Sequence, residues 1–306
     1  MSIKKKKICI IGTGKAGSAF AIELCNAGAK VSFLIDKNIK VLRTLSKSIK
    51  DCKTNTRIES SFIEASDIII IAVKDPEIKK VSEELFKLDV SFKNKIIFHI
   101  SGSLTSQEIS DRKINKNNIA SVHPIQTFNK ISTKNEQLLN GIYFGVEGGK
   151  NALKIAGDLI KLLGSKYIVI PASKKYIYHI ASIFASNYLV VISDIIAELT
   201  GSILSKKVSN TNIFLPIIKN TLSNIEKNGI EASLTGPIDR NDLVLIEKHI
   251  KDLKKNKKNI LPLYSLLGKA AAEIAARKGS INNPEKIKLR KLFERSLPSL
   301  KSNSRN

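Results

Sequence analysis

Four histidines occur in 306 residues, and three of them stand in segments suited to chemistry. His99 lies in HISGS (99–103), near the end of an expected strand; His123 opens HPIQTF (123–128); His179 sits in YHIASIFASNYL (178–189). Ligands of open α/β sheets collect outside the carboxyl ends of the strands, which suits the first two positions. Each also reads as a hydrogen-bonded structural histidine. A zinc site built from the three lacks local ligand spacing, so no metal is expected. On a helix, Lys175, His179, Ser182 and Ser186 fall within an arc of roughly 60°, with Asn187 beside it. Imidazole, ammonium and carboxamide groups on one face are what carbonyl reduction asks for, a proton donor and a group to polarise the oxygen. A polar seam packed against other protein would use the same pattern. In SLTGPIDRND (233–242), Gly236-Pro237 breaks a helix and Asp239 can cap the next. Arg240 there is a candidate fork for a substrate carboxylate, or an ion-pair partner of Asp242.

The opening segment ICIIGTGKAG (8–17) supplies what such a site would work with. Its apolar run stops at Gly12, Gly14 and Gly17, the spacing of a dinucleotide-binding strand–turn–helix. The first glycine makes the turn, the second lets backbone approach a pyrophosphate, and the third lets the helix pack closely. The helix N-terminus offers unpaired N–H groups to the phosphates. Gly12, Thr13, Gly14, Lys15, Ala16, Gly17 and Ser18 are therefore the expected pyrophosphate cradle. Asp36, 19 residues past Gly17 at the end of the second strand, is placed to accept from an adenosine ribose. That favours NAD(H), whereas Lys37, Lys40 and Arg43 nearby could pair with a 2′-phosphate and favour NADP(H).

These residues need a sheet to hold them. Strands are expected at Lys30–Ile35, Arg57–Glu59, Ile68–Val73, Lys95–Ile100, Ile119–Val122, Ile142–Glu147 and Tyr167–Ile170, with helices between. Continuous apolar strands between helices indicate an α/β, doubly wound parallel sheet covered on both faces. After Pro171 only helices are expected, at about 173–200, 212–228, 239–255, 261–278 and 284–297. The reading is a Rossmann domain over residues 1–171 and an all-helical domain over 172–306, with a substrate cleft at their junction and a frayed end at Lys301–Asn306.

Composition narrows the partners. The net charge is +24, but 43 lysines against 8 arginines and unmixed aromatics suit solvated faces rather than base reading, so nucleic acid is not expected. Cys9, Cys25 and Cys52 form no metal or redox spacing and read as small apolar residues of a reducing cytoplasm. Lys15 and the glycines interrupt the N-terminal apolar stretch, which excludes a signal peptide. Ile183–Leu204 carries Asn187, Asp194 and Glu198 and reads as a helix buried in protein, not a membrane span.

The motifs GTGKAG, SDIIIIAVKD (66–75), HISGS, SVHPIQTF (121–128), YFGVEGG (143–149), YHIASIFASNYL, SLTGPIDRND and PLYSLLG (262–268) occur in this order over roughly residues 6–278. In these the chain resembles the Rossmann-like proteins carrying the helical domain of unknown function numbered 2520. Those are relatives of pyrroline-5-carboxylate reductase and of the ketopantoate reductase and 6-phosphogluconate dehydrogenase architecture. Where the family has Arg-Gly-Asp this chain has Arg240-Asn241-Asp242, and the segment after Gly279 runs past the family's usual end. The resemblance implies a homodimeric NAD(P)-dependent oxidoreductase joined through its helical domain, some members acting on ketopantoate. In that scheme Val73, Lys74 and Ser101 border the nicotinamide, His179 or His123 donates the proton, Asn187 polarises the oxygen, and Lys175 or Arg240 takes the carboxylate. The reaction best matching the scheme is reduction of 2-dehydropantoate to pantoate. A cyclic imine reductase and a non-catalytic NAD(P)-binding redox regulator are the alternatives.

Overall fold

The computed structural model describes residues 2–201 and 212–297. The chain forms two compact units, Met1–Ser186 and Asn187–Asn306. The expected frayed end, Lys301–Asn306, lies outside the described residues.

In the first unit, β1 (Lys7–Ile11), α1 (Lys15–Asn26), β2 (Lys30–Ile35), α2 (Ile39–Ser48), β3 (Lys53–Asn55), α3 (Ser60–Glu64), β4 (Ile68–Ile71), α4 (Asp75–Lys87) and β5 (Ile96–His99) follow in turn. Then come β6 (Ile119–Pro124), β7 (Tyr143–Gly148), α5 (Lys150–Leu162), β8 (Lys166–Val169) and α6 (Lys175–Ala185). The eight strands make one sheet in the order β3-β2-β1-β4-β5-β6-β7-β8. Every pairing is parallel except β6 with β7. The sheet is thus the expected doubly wound one with its last two strands reversed.

The run of four isoleucines in β4 shows how the sheet is sealed. Alternate side chains leave a strand on opposite faces. Ile68 and Ile70 join Ile8, Ile10, Leu24, Leu34 and Phe98 on one face. Ile69 and Ile71 join Cys9, Phe33, Ile97 and Leu85 on the other. Cys9 has no exposed surface, and burial pushes its thiol up; all three cysteines are free.

Two expected boundaries move. The strand expected at Arg57–Glu59 lies earlier, at Lys53–Asn55, because Asn55 turns the chain and Asn55 Oδ1 accepts from Arg57 N at 3.1 Å. The helix expected over 173–200 is broken at Ser186 (φ −124°, ψ −69°), and α6 belongs to the first unit, so that unit ends later than residue 171.

The second unit holds α7 (Asn187–Thr200), α8 (Leu215–Ser233), α9 (Leu243–Asn256), α10 (Leu261–Lys278) and α11 (Asn283–Ser296). Its core is Ile246, Ala272, Ala275, Ile281, Leu289 and Phe293. An Asn282–Glu285 capping box starts α11. Asn241 takes φ 52°, a conformation that asparagine tolerates better than most residues, so the turn keeps its left-handed residue without glycine.

The expectation that Ile183–Leu204 is buried fails for its described part. Ala172–Thr200 is long and apolar enough to cross a membrane by length and composition, and its most apolar 18-residue window, of mean hydropathy 1.8, contains no buried residue. Phe184, Val190 and Val191 are among its exposed side chains.

Candidate active site

The turn after β1 is built as the glycines predict. Gly12 has φ 93° and its N–H donates to Ile35 O at 2.7 Å; a Cβ there would stand 2.7 Å from the Ala72 carbonyl oxygen. A Cβ on Gly17 would run into the Gly12 carbonyl, which lets α1 settle on the turn. Around Gly14, at the start of α1, nothing stands within 4 Å of a Cβ. That open ground is where a pyrophosphate would meet the helix N-terminus.

Two cavities meet at this turn and share Gly14, Ala72, Val73 and Lys74. The first, about 580 Å³, runs over Gly12 and Ile35 past Asp36, Lys37 and Arg57. The second, about 570 Å³, passes Lys15, Ala16, Ser101 and Gly102 to His123, Gln126 and His179. Together they form a trough along the carboxyl ends of β1, β4, β5 and β6, long enough in outline for a dinucleotide and a small substrate.

Asp36 is partly committed already. Its Oδ2 accepts from Thr13 N at 2.6 Å and its Oδ1 from Asn38 N at 2.8 Å, so it braces the glycine turn while bordering the cavity. Ser18 departs from expectation. It has no exposed surface, and its hydroxyl donates to Lys15 O (3.0 Å) and accepts from Ser132 N (2.9 Å), so it holds a loop instead of a phosphate. Thr13 is likewise fully buried and contributes its backbone.

At the other end, Gly102 is wedged between two imidazoles. A Cβ there would lie 2.8 Å from His123 Nε2 and 2.9 Å from His179 Nδ1. The ring centroids of His123 and His179 are 6.4 Å apart. His179 Nδ1 is buried and has no partner among the described residues. His123 Nδ1 lies 2.7 Å from Tyr178 Oη. Nε2 is the ring nitrogen that stands beside Gly102. Burial, reinforced by the Lys175 ammonium and by His179, holds His123 down to about 4. It is therefore a neutral imidazole at neutral pH, and Nε2 can donate to a carbonyl oxygen in the tautomer that carries the hydrogen there.

His99 is structural. It is wholly buried, its Nε2–H donates to Thr105 O (2.9 Å), and its Nδ1 accepts from Ser101 N (3.2 Å). Burial lowers it to about 4. Ser101, 5% exposed, donates through Oγ to Asp75 Oδ2 at 2.7 Å and accepts from Ser103 N and Leu104 N, which fixes the turn carrying Gly102.

Lys175 does not fit its expected part as a carboxylate ligand. It has no exposed surface and is absent from the cavity lining; its ammonium donates to Ser121 Oγ (2.8 Å) and Ser101 O (3.2 Å). Ser182 and Ser186 donate to the carbonyls four residues back in the helix. The cations that do line the second cavity are Lys15 and Lys74. Asn187 and Arg240 belong to the second unit: Asn187 opens α7, and Arg240 lies exposed in the turn before α9. Among the described residues no group of three or more His, Cys, Asp and Glu is arranged to hold a metal.

Sequence reasoning missed Tyr178, Gly102, Gly145, Asp75 and Arg57. The first four sit inside motifs it had singled out, and the place of Tyr178 next to His179 was the available local signal.

A strand–glycine turn–helix feeding a trough at the carboxyl edge of a mainly parallel sheet defines a Rossmann-type dinucleotide-binding protein. Residues 7–101 match the family described as NADP oxidoreductase, coenzyme F420-dependent, and residues 142–271 match the domain of unknown function DUF2520. The chain thus joins a Rossmann-like segment that matches an NADP oxidoreductase family to a segment that matches DUF2520. It is similar to a Thermotoga maritima protein of known structure at 26% identity, over 89% of this chain and 99% of that one, with a TM-score of 0.71. A candidate NADP oxidoreductase of Bacteroides fragilis shares the fold at 18% identity, 90% and 100% coverage and TM-score 0.69. So does an NADP-bound pyrroline carboxylate reductase of Plasmodium falciparum, at 16%, 95% and 100%, and 0.54. A curated relative, the NADP(+) ketol-acid reductoisomerase of Buchnera aphidicola subsp. Schizaphis graminum, is 33% identical over 88 residues, which are 28% of this chain and 18% of that protein's length.

Proposed function

We propose that the protein transfers a hydride between NAD(P)H and a small anionic carbonyl compound, with 2-dehydropantoate as the first candidate substrate. The observation that carries this is the pair of imidazoles flanking Gly102 in a cavity continuous with the glycine turn. The nucleotide, when bound, supplies or takes the hydride. Gly12, Gly14 and the start of α1 hold its pyrophosphate, Asp36 and Arg57 border its adenosine half, and Val73, Lys74 and Ser101 border its nicotinamide half. His123 offers Nε2–H to the substrate oxygen. His179, on the other side of Gly102, delivers the proton. A carboxylate on the substrate is met by Lys15 or Lys74.

Among the described residues no arginine lines the second cavity, which favours a second reading. A cyclic imine carrying one carboxylate would need the proton relay but no bidentate fork.

The exposed apolar side chains of α6, such as Tyr176, Ile177 and Phe184, and those of α7 and α8 support a homodimer. Asp194 lies within the apolar stretch, and Glu198 accepts from Lys257 at 3.1 Å, which suits a protein partner and a cytoplasmic protein better than lipid.

Purified protein should be assayed with NADH and NADPH against 2-keto acids, 2-dehydropantoate among them, and cyclic imines. Turnover of a keto acid that falls about 10²- to 10⁴-fold in His179→Ala, with nucleotide affinity retained, is the expected result. Nucleotide binding without turnover of any compound would favour a redox regulator. Sedimentation showing only monomer would remove the dimer.

A further inference from the structure

Lys175 is a puzzle if the site is only a pair of histidines. A fully buried ammonium is costly to keep, and its two hydrogen-bond partners here, Ser101 O and Ser121 Oγ, are both uncharged. The neighbouring carboxylates have other commitments. Glu147 accepts from Ser106 N and Ser106 Oγ, and Asp75 from Ser101 and Ser103. Ser121 donates to the same Ser101 carbonyl at 2.9 Å, so β5, β6 and α6 converge on one oxygen. The ammonium also sits 5.7 Å from the centre of the Tyr178 ring. Every contact of Lys175 therefore leads to something that holds an imidazole: the turn bearing Gly102, or the tyrosine bonded to His123.

We propose that Lys175 is a positioning residue for the two-histidine site: it pins the Ser101–Gly102 turn to β6 and keeps His123 neutral. The charges around His123 agree on this. From α6, Lys175 and His179 oppose a proton on the ring, as does His99 from β5; Asp75 at the start of α4 favours one. Glu147 on β7 and Asp75 act on Lys175 itself, partly offsetting the burial that brings it down to about 8. Lys175 thus remains mostly charged at pH 7, and after burial its ammonium does most to hold the His123 ring unprotonated. The catalytic purpose of this arrangement rests on the hydride-transfer reading above; the coupling itself does not.

The test uses the full-length protein with carbon-13 in its histidine rings, followed by NMR across pH. In the wild type the His123 ring signal should show two events. One is protonation near pH 4; the other is a smaller step centred near 8, as Lys175 releases its proton. In Lys175→Met the upper step should vanish and the His123 midpoint should move from about 4 toward 6.5. Absence of the upper step in the wild type overturns the proposal, and so does an unmoved His123 midpoint in a folded Lys175→Met. If Lys175→Met does not fold, the wild-type step alone decides. A parallel titration of the wild type with NADPH keeps the two ideas apart. Failure to bind would refute the oxidoreductase reading and leave the lysine–histidine coupling standing.

Discussion

Substituting the first two glycines of the turn should separate folding from binding. At Gly14 the backbone (φ −64°, ψ −161°) is an extended conformation open to any residue, and a Cβ meets nothing within 4 Å. Gly14→Val should therefore change stability by no more than about 0.5 kcal/mol, as for a surface site. The valine methyls then occupy the ground where the pyrophosphate must approach, and the nucleotide Kd should rise at least tenfold, about 1.4 kcal/mol. Gly12 differs in both respects. An L-residue at φ 93° carries a left-handed penalty of about 1–2 kcal/mol. Its Cβ would also stand 2.7 Å from a backbone oxygen of β4's following residue, Ala72, and such overpacking costs about 1–3 kcal/mol. Gly12→Ala should thus lose roughly 2–5 kcal/mol, a large share of ordinary domain stability. Urea unfolding gives the first quantity, and calorimetric titration with NADPH and NADH the second. Unchanged binding in Gly14→Val would remove the nucleotide from this loop. A Gly12→Ala protein within 1 kcal/mol of wild type would show that the turn is not as tightly held as its geometry implies.

Acid should weaken the first unit through His99. Its pKa falls from 6.5 to about 4 on folding, so the unfolded chain binds the proton more readily between those values, and about 3 kcal/mol present above pH 6.5 is lost as pH falls to 4. Urea midpoints at pH 7 and 4.5 test this, and a drop of equal size in His99→Gln would refute it. Arg57→Ala should raise the Kd for NADPH about tenfold and that for NADH much less, since only the former carries a 2′-phosphate for the guanidinium to meet; equal losses would take Arg57 away from that phosphate. Asn241→Gly should stabilise the second unit by about 1 kcal/mol, because it removes both a left-handed side chain and a buried Oδ1 that has no partner among the described residues. A loss of stability there, read by urea unfolding, would mean that this oxygen is satisfied.

What the sequence could and could not convey follows from what local patterns encode. Ile68–Ile71 and Lys30–Ile35 are unbroken apolar runs, and both are central strands. Leu261–Lys278 begins beside Pro262 and ends at Gly279, and its bounds matched. Strand direction leaves no such trace, because alternation reads the same either way, so the reversal of β7 was invisible. A lysine on a polar helical stripe suggests water or substrate; that Lys175 is sealed under the turn depends on Ser101 and Ser121, more than 50 residues away in sequence. The apolar side chains of α6 and α7 suggested a core because a sequence cannot say whether the covering surface belongs to the same molecule.

The reversed β7 makes strand phase a condition of chemistry. Gly145 stands directly across from His123, and only a bare Cα there leaves room for the Tyr178 hydroxyl. A two-position slip would keep every side chain on its proper face, so the oily clusters would tolerate it far better than a slip of one. Yet it would bring Tyr143 or Glu147 across from His123 and close the seat. The chain guards against this from elsewhere: Glu23, on α1, takes the N–H groups of both Leu138 and Leu139 at 2.8 Å, a few residues ahead of β7. A carboxylate remote from the trough thereby acts as an index mark for the strand. Damage to it would be felt as molecules that are folded, soluble and misaligned by one pleat repeat.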